Sequence, residues 1–400
     1  MSDVLIVGAG FTGAAAARVL ADAGVSCTVI DRRPTLGGNA HDYVNANGIR
    51  IHTYGPHLFH TNSQRIFSFL SRFTDWVPYE HRVVAVYGHS SAAFRKTVVK
   101  LPIIRSIINT LLGTSATSEE ELREVLAEAV RKTRGFPLPE GTVPKNSLEV
   151  AYNSVGDLIT NALFSGYTSK HWGRQLSELS TSVISRIPVR FNDDDRYFTD
   201  AFQALPAEGY VGLFEEMLSH PLIKTQLRTD FHYSEVDTNV KCIIYTGSID
   251  DYYNYSLGAL EYRSVRFEAS DGVGLLTPEE QLALELGVAT VNFTSASIEP
   301  TRITNFGKLP NSGPGNWLCK EYPTAHGGRY YPVPSESNLE LYAKYQRMHQ
   351  ERGGPVIFAG RLGTYRYLNM DQACANGMKI ASNILNGTAD TLGGADATVG

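Results

Sequence analysis

Gly8, Gly10 and Gly13 stand in the run Val-Leu-Ile-Val-Gly-Ala-Gly-Phe-Thr-Gly at Val4–Gly13, and Asp31 closes the next apolar run, Val29-Ile30-Asp31. Glycines at this spacing do backbone chemistry. Gly8 permits a tight turn, Gly10 lets main chain approach a pyrophosphate, and Gly13 lets a helix pack closely on a strand. The first amides of the following helix, with its dipole behind them, suit an anion. An acid about 20 residues beyond such a turn can accept from a ribose hydroxyl, and Asp31 occupies that place. Strand, turn, helix and acid together point to a bound dinucleotide.

A second set of residues has no use in a nucleotide turn. Gly166–Arg174 reads Gly-Tyr-Thr-Ser-Lys-His-Trp-Gly-Arg, a stretch that looks turn-rich, and Arg186, Arg190, Tyr197, Arg302, Tyr322, Tyr330, Tyr331, Arg366 and Tyr367 follow beside prolines and glycines. Arginines present fixed-charge forks to phosphate oxygens, and tyrosines present neutral donors with a stacking face. The combination predicts a diphosphate site. His57 and His60 flank apolar residues in a glycine-containing turn; each by itself reads as a packed histidine.

These groups need elements to hold them. Val4–Val7 and Val240–Gly247 read as buried strands of a nucleotide fold, with Ala14–Ala17, Val19 and Leu20 on the helix between turn and acid. The paired glycines of Gly37-Gly38-Asn39 add another close approach to a dinucleotide, common in FAD proteins of the oxidase-like group and not needed by simple NAD folds. Ile49–Thr53 and Arg82–Tyr87 read as strands, and Gln64–Phe73 as a helix. Residues 102–179 read as mainly helical, including a helix capped by Ser118 and one over Val155–Phe164 that ends near Gly166. From Arg186 to about Thr304 the pattern turns to strands without long helices between them (Leu260–Phe267, Ala289–Phe293, Arg302–Thr304), which predicts an antiparallel sheet. Ser335–Arg352 reads as a helix with Leu339, Leu341 and Tyr345 inward, Pro355–Gly360 as a buried strand and Met370–Leu385 as a helix. The Gly/Ala/Thr/Asp-rich tail reads as disordered.

A chain of 400 residues with 42% hydrophobic content supports two or three domains. Its net charge of −5 argues against general nucleic-acid binding, so an anionic ligand must be met by locally placed arginines. Cys27, Cys242, Cys319 and Cys374 have no metal-type spacing and are expected reduced and mostly buried, which suits a cytoplasm. No metal site is expected. A first strand at Val4 leaves no room for a signal peptide, and no apolar run is long enough to span a membrane.

Over nearly its whole length the chain resembles the bacterial UDP-galactopyranose mutases. The matching stretches are the first glycine turn, LGGNAH, GIRIHTYGPHLFHTN, GYTSKHWGR, RIPVRF, RYFTD, GALEYRS, VNFT, EYP, YYPV and GRLGTYRYLNM. The resemblance implies an α/β chain: a discontinuous Rossmann-like FAD domain with an inserted helical domain and an antiparallel β-sheet domain. The division expected is an FAD domain of 1–75, 205–255 and 350–388, a helical domain of 101–180 with a mobile loop, a sheet domain of 76–100, 186–204 and 256–349, and a disordered tail of 389–400. It implies a flavoenzyme without net redox, in which reduced FAD attacks the anomeric carbon through N5. A flavin–sugar iminium then opens and recloses the ring, interconverting pyranose and furanose forms of a nucleotide-diphosphate sugar, by default UDP-galactose. A reductant such as NAD(P)H or a reductase would prime the flavin, and a homodimer is an option.

Carried over by position, Arg186 and Arg302 look like the diphosphate clamp, with Arg186 on or beside a closing loop. Tyr167, Tyr197, Tyr322 and Tyr367 look like its phosphate-binding tyrosines, and Tyr167, Thr168 and Trp172 would lie near base and sugar. His57 resembles the histidine at the flavin edge, Arg361 a flavin contact, and the helix from Met370 points at the isoalloxazine; Gly38 and Asn39 join the cofactor set. The chain departs from the family at Asn369, where Asp is usual, at Asp371 for His, at Pro56 for Ala, and after Arg302. These departures touch donor choice more than chemistry, so the same reaction on a GDP- or dTDP-linked galactose or fucose is the nearest alternative. An amine-oxidase-type FAD oxidoreductase would show an apolar tunnel in place of paired arginines. A non-catalytic nucleotide-sugar binder would not need an intact flavin site.

Overall fold

The computed structural model describes residues 3–232 and 240–388. Four short, largely apolar strands, Val4–Val7, Cys27–Asp31, Cys242–Tyr245 and Val356–Phe358, and a more polar edge strand, Ile223–Leu227, form one parallel sheet. Its order puts Val4–Val7 in the centre, with Cys27–Asp31 then Ile223–Leu227 on one side and Cys242–Tyr245 then Val356–Phe358 on the other. A sheet buried on both faces favours such continuous apolar runs. The strands come from widely separated stretches, as expected of a nucleotide fold interrupted by insertions.

The helix Phe11–Asp22 packs on this sheet and against Met370–Leu385 and Gly209–Leu218. Ala14 to Ala17 are completely buried, their small side chains letting three helices crowd one strand layer. The helices Arg105–Leu112, Glu119–Lys132 and Ser147–Thr160 bury Ile107, Leu122, Leu126, Val155 and Ile159 in a core of their own. Ser118 caps the second of these as expected, its hydroxyl accepting from the Glu121 amide at 3.1 Å while the Glu121 carboxylate accepts from the Ser118 amide at 3.1 Å.

A seven-stranded sheet runs in the order Tyr331–Pro332, Tyr262–Ser270, Leu318–Thr324, Arg302–Asn305, Thr290–Phe293, Val83–Val86, Val98–Leu101. Every pairing is antiparallel except Thr290–Phe293 with Val83–Val86, which is parallel. A small sheet of Phe59–Thr61, Phe202–Pro206 and Trp76–Pro78 stands beside these layers.

Three expectations are corrected. Gly166–Arg174 is mostly no turn: Gly166–Trp172 is helical, continuing Ser147–Thr160 through a π-turn at Asn161–Ser165, and the chain leaves the helix at Gly173, at φ 65°. Gly166 is needed for contact, since a β-carbon there would lie 2.4 Å from the Thr294 carbonyl oxygen. The region from Arg186 to Thr304 does hold helices, at Gly209–Leu218 and Pro278–Leu286. The first buries Tyr210, Leu213, Phe214, Met217 and Leu218, so little polar face marks its period. Leu339 is 43% exposed, whereas Tyr345 of the same helix is fully buried. The tail of 389–400 lies outside the described residues.

Candidate functional site

Every residue expected to hold a cofactor lines one cleft of about 570 Å³: Gly8, Gly10, Gly13, Asp31, Gly38, Asn39, His57, Arg361 and Met370, with Asn369 among them. That volume lies within the range of roughly 300–1,000 Å³ usual for cofactor pockets. Gly8 turns at φ 108°, and a β-carbon on Gly13 would come within 1.9 Å of the Gly8 carbonyl oxygen, so strand and helix meet there. At Gly10 a β-carbon would meet nothing nearer than 3.8 Å and would occupy cleft space instead. Helix Phe11–Asp22 begins at Gly10 without a side-chain cap, so its first amides are free for an anion. Asp31 accepts from the amides of Ala9 at 2.9 Å and Arg33 at 2.8 Å, fixing the acid at the cleft edge with spare lone pairs. The site fits a dinucleotide.

The far wall is built from the 327–331 and 360–370 segments. Arg361 donates to the carbonyls of Tyr330 at 3.2 Å and Leu368 at 2.6 Å, which immobilises its guanidinium. Asn369 caps Met370–Leu385, its amide donating to Gln372 Oε1 at 2.9 Å. Asp371 turns away from the cleft, is buried, and accepts from Thr61 Oγ1 at 3.0 Å; this departure ties helix to strand. Arg329 also lines the cleft, unpredicted, donating to Asp250 at 3.1 Å, Tyr255 at 2.7 Å and the Ser248 hydroxyl. The run Gly327-Gly328-Arg329 was the available signal for it.

His57 sits where this cleft meets the arginines. Its amide donates to His52 Nδ1 at 2.9 Å, its carbonyl accepts from Tyr210 Oη at 2.9 Å, and its own Nδ1 lies 2.8 Å from the Gly55 carbonyl. Nδ1 therefore carries the proton, leaving Nε2 as an acceptor. Burial pushes its pKa down to about 4, against the Gly55 bond and with help from Arg361 and Arg302, so the ring is neutral near pH 7.

Arg302 opens its strand directly across from Glu321. Its Nη2 donates to Tyr167 Oη at 3.0 Å, while its Nε stays 3.6 Å from Glu321 Oε2, an ion pair short of a hydrogen bond. Both Arg302 Nε and Glu321 Oε1 are buried without a partner among the described residues. Burial raises the Glu321 carboxyl, with Arg302 pulling it back. Tyr331 stacks on Tyr367 with ring centroids 5.7 Å apart, and Arg186 and Arg361 lie over the Tyr367 ring at 4.4 and 5.0 Å. Although enclosure works to raise the Tyr367 phenol, Arg186 and Arg361 together hold it below its usual range. Tyr197 interacts electrostatically with Tyr167, Arg302, Arg186 and Tyr367 and so belongs to the same cluster. Two guanidiniums ringed by phenols, one of them held by a carboxylate, form a seat for a compact anion.

Tyr322 is not brought there. Alternation along Leu318–Thr324 sends Glu321 toward Arg302 and Tyr322 to the opposite face, under Arg266 at 4.2 Å. Tyr331, which the sequence placed only among the surrounding aromatics, takes its place in the cluster. Trp172 and Thr168 are buried: Trp172 packs with Leu179, Val183 and Val333 behind the wall that carries Tyr167. The four cysteines are free, and no helix among the described residues is long and apolar enough to cross a membrane.

The family described as "UDP-galactopyranose mutase" matches residues 162–367, and a "NAD(P)-binding Rossmann-like domain" matches residues 6–73. A Klebsiella pneumoniae protein named "Probable UDP-galactopyranose mutase" is 33% identical over 394 residues, 97% of this chain and 96% of that protein. A "dTDP-fucopyranose mutase" of Escherichia coli is 32% identical over 382 residues, 93% of this chain and 95% of that protein. The crystal structure of a reduced UDP-galactopyranose mutase superposes with a TM-score of 0.74 at 17% identity, covering 99% of this chain and 98% of that one.

Proposed function

The chain belongs to the UDP-galactopyranose mutase family, and on that premise we propose that it interconverts the pyranose and furanose forms of a nucleotide-diphosphate sugar, with UDP-galactose as the default donor. The observation that carries this reading is the Arg186–Tyr367–Arg302–Tyr167 cluster opening beside the flavin cleft. Gly8, Gly10, Gly38, Asn39 and Arg361 would hold a flavin in that cleft, and in its reduced form it would supply an electron-rich nitrogen for nucleophilic chemistry on the sugar. The protein's part is retention and orientation. Arg186 and Arg302 hold the departing diphosphate close while the sugar rearranges, and the phenols of Tyr167, Tyr197, Tyr331 and Tyr367 donate to its oxygens. Arg302 Nε faces Glu321 at 3.6 Å, which leaves the outer guanidinium nitrogens as the donors toward such an oxygen. Neutral His57, with Nε2 free to accept, orients the ring atoms at the junction of the two sites.

We read FAD as the cofactor, active when reduced and primed by an external reductant, because Gly8 and Gly10, Gly37 and Gly38, Asp31 and Arg361 all line the one cleft. The division into FAD, helical and sheet domains given above is kept as part of this proposal. A dTDP-linked deoxysugar is the second reading, favoured by the nearly equal identity to the fucopyranose mutase and by Asn369 at the cleft wall. The test is an anaerobic assay of dithionite-reduced holoprotein against UDP-, GDP- and dTDP-sugars, with ring forms separated chromatographically. Fastest conversion of UDP-galactose supports the default, and conversion of a dTDP-sugar alone moves the donor to the second reading. No ring interconversion of any donor, with oxygen consumed on amines, overturns the proposal.

A further inference from the structure

We propose that His171 is a further ligand-contacting residue of this site, its ring donating an N–H to the diphosphate end of the donor. The inference rests on the mutase reading above and adds a residue that the sequence left without a role. The ring lies parallel to Tyr167 with centroids 6.0 Å apart and stands 5.1 Å from Tyr331. Tyr167 accepts from Arg302, and Tyr331 stacks on the Tyr367 ring beneath Arg186, so His171 bridges the two halves of the clamp.

The backbone at His171 is held by other groups. Arg263 donates to the carbonyls of His171 at 3.0 Å and Lys170 at 3.1 Å, capping the last turn of the helix. The Lys170 ammonium, from the same turn, donates to the carbonyls of Phe293, Ile298 and Pro300 at 2.7, 2.8 and 3.0 Å. These bonds fix the turn to the segment that leads into Arg302. The imidazole nitrogens take no part in this: neither has a hydrogen-bond partner among the described residues, and neither is fully enclosed by protein. A polar head held between rigid aromatic walls, beside two arginines and with no partner of its own, is placed to meet a ligand.

The charges around it decide its protonation state. Tyr167 stacks on it from its own helix and Tyr331 stands beside it, while Arg302, Arg186 and Arg263 are the charges that act on it. Glu321 is engaged by Arg302, so cations prevail. Burial first, then Arg302, Arg186 and Arg263, push the ring down to about 3. His171 therefore acts as a neutral donor, and its contact should not vary with pH around neutrality.

The experiment is calorimetric titration of oxidised holoprotein with UDP-galactose, whose diester diphosphate has no titrating proton near neutrality. Wild type should bind with the same affinity within about twofold at pH 6.0 and 7.5, with no net proton uptake. His171→Phe keeps the stacking shape without a donor and should weaken binding about tenfold or more, the factor carried by a hydrogen bond to a charged group. His171→Gln keeps a donor and should stay within about threefold of wild type. His171→Leu repeats the donorless arm if Phe overfills the space, with flavin content verifying each variant. Unchanged affinity in the donorless variants, or proton uptake by wild type, overturns the inference. Failure of wild type to bind UDP-galactose, UDP, GDP or dTDP is a separate outcome that overturns the mutase reading and this inference together.

Discussion

Arg302 carries the heaviest assignment of any single residue. Its Nη2 donates to Tyr167 and its Nε faces Glu321, so truncation removes a cationic donor whose pull strengthens as charge builds on the departing diphosphate. Arg302→Ala should lower kcat by about 10²–10³, the range for loss of one such donor, while the flavin spectrum and stoichiometry stay unchanged. Near-normal turnover in that variant would remove Arg302 from the clamp. The two tyrosines make a sharper comparison. Tyr331→Phe should reduce kcat/KM about tenfold through loss of a hydrogen bond to a charged oxygen, whereas Tyr322→Phe, on the opposite face, should stay within about twofold. Equal losses in steady-state kinetics would mean the strand face has been misassigned. The contrast also shows what residue types could and could not tell. Arginines and tyrosines announced an anion site because few other duties call for both. Which tyrosine of Glu321-Tyr322-Pro323 and Tyr330-Tyr331-Pro332 joined it depended on strand phase, and alternation can be read only once the pairing of Arg302 with Glu321 is known.

Elements were legible where a cap or a period marked them. The box at Ser118 and Glu121, the helix Met370–Leu385 and the strands around the glycine turn follow from local chemistry alone. Gly166–Trp172 was misread because its glycine, aromatics and cations mimic a turn, while its stability comes from Lys170 and Arg263 bonds to other segments. The glycine turn itself separates fold from function. In Gly13→Ala the new methyl would meet the Gly8 carbonyl, driving helix from strand, so stability should fall by about 1–3 kcal/mol or more, as for overpacking elsewhere. Gly10→Ala meets no protein atom within 3.4 Å and needs no unusual φ, so the apoprotein should melt like wild type but purify with far less flavin. Thermal melts and the flavin-to-protein absorbance ratio read the two effects separately. Full flavin content in Gly10→Ala would take the pyrophosphate away from this turn.

At the scale of the whole molecule, the parallel sheet gathers its strands from both ends and the middle of the chain, and the site forms where it meets the mixed sheet and the helix carrying Tyr167. Apolar runs revealed four of its strands but not the polar edge strand Ile223–Leu227, nor this convergence, which rests on long-range pairings such as Val4 with Cys242. One result is a cluster of histidines kept neutral by enclosure. Burial lowers His57 to about 4 and both His81 and His171 to about 3, with Arg302 depressing all three, and burial holds His52 well below its ordinary value. In the unfolded chain each titrates near 6.5. As pH falls through 6.5 the unfolded state takes up protons that the folded state refuses until its own lower pKa is reached. Stability should therefore decline with acidity, by up to about 1.4 kcal/mol per pH unit for each imidazole. Asp42 and Glu321, whose carboxyls burial holds high, act in the opposite sense at and above their ordinary range, so they offset part of the loss. His81 isolates the effect, being 4% exposed with Nδ1 3.0 Å from Tyr79 Oη. His81→Gln keeps a polar head for that tyrosine and removes the titration. Urea unfolding of holoprotein at pH 5.0, 6.0 and 7.0 should give a shallower fall in stability for the variant, by nearly one proton of linkage. Parallel pH profiles would show that His81 is not held neutral in the folded protein, and the electrostatic description of the cluster around Arg302 would fail with it.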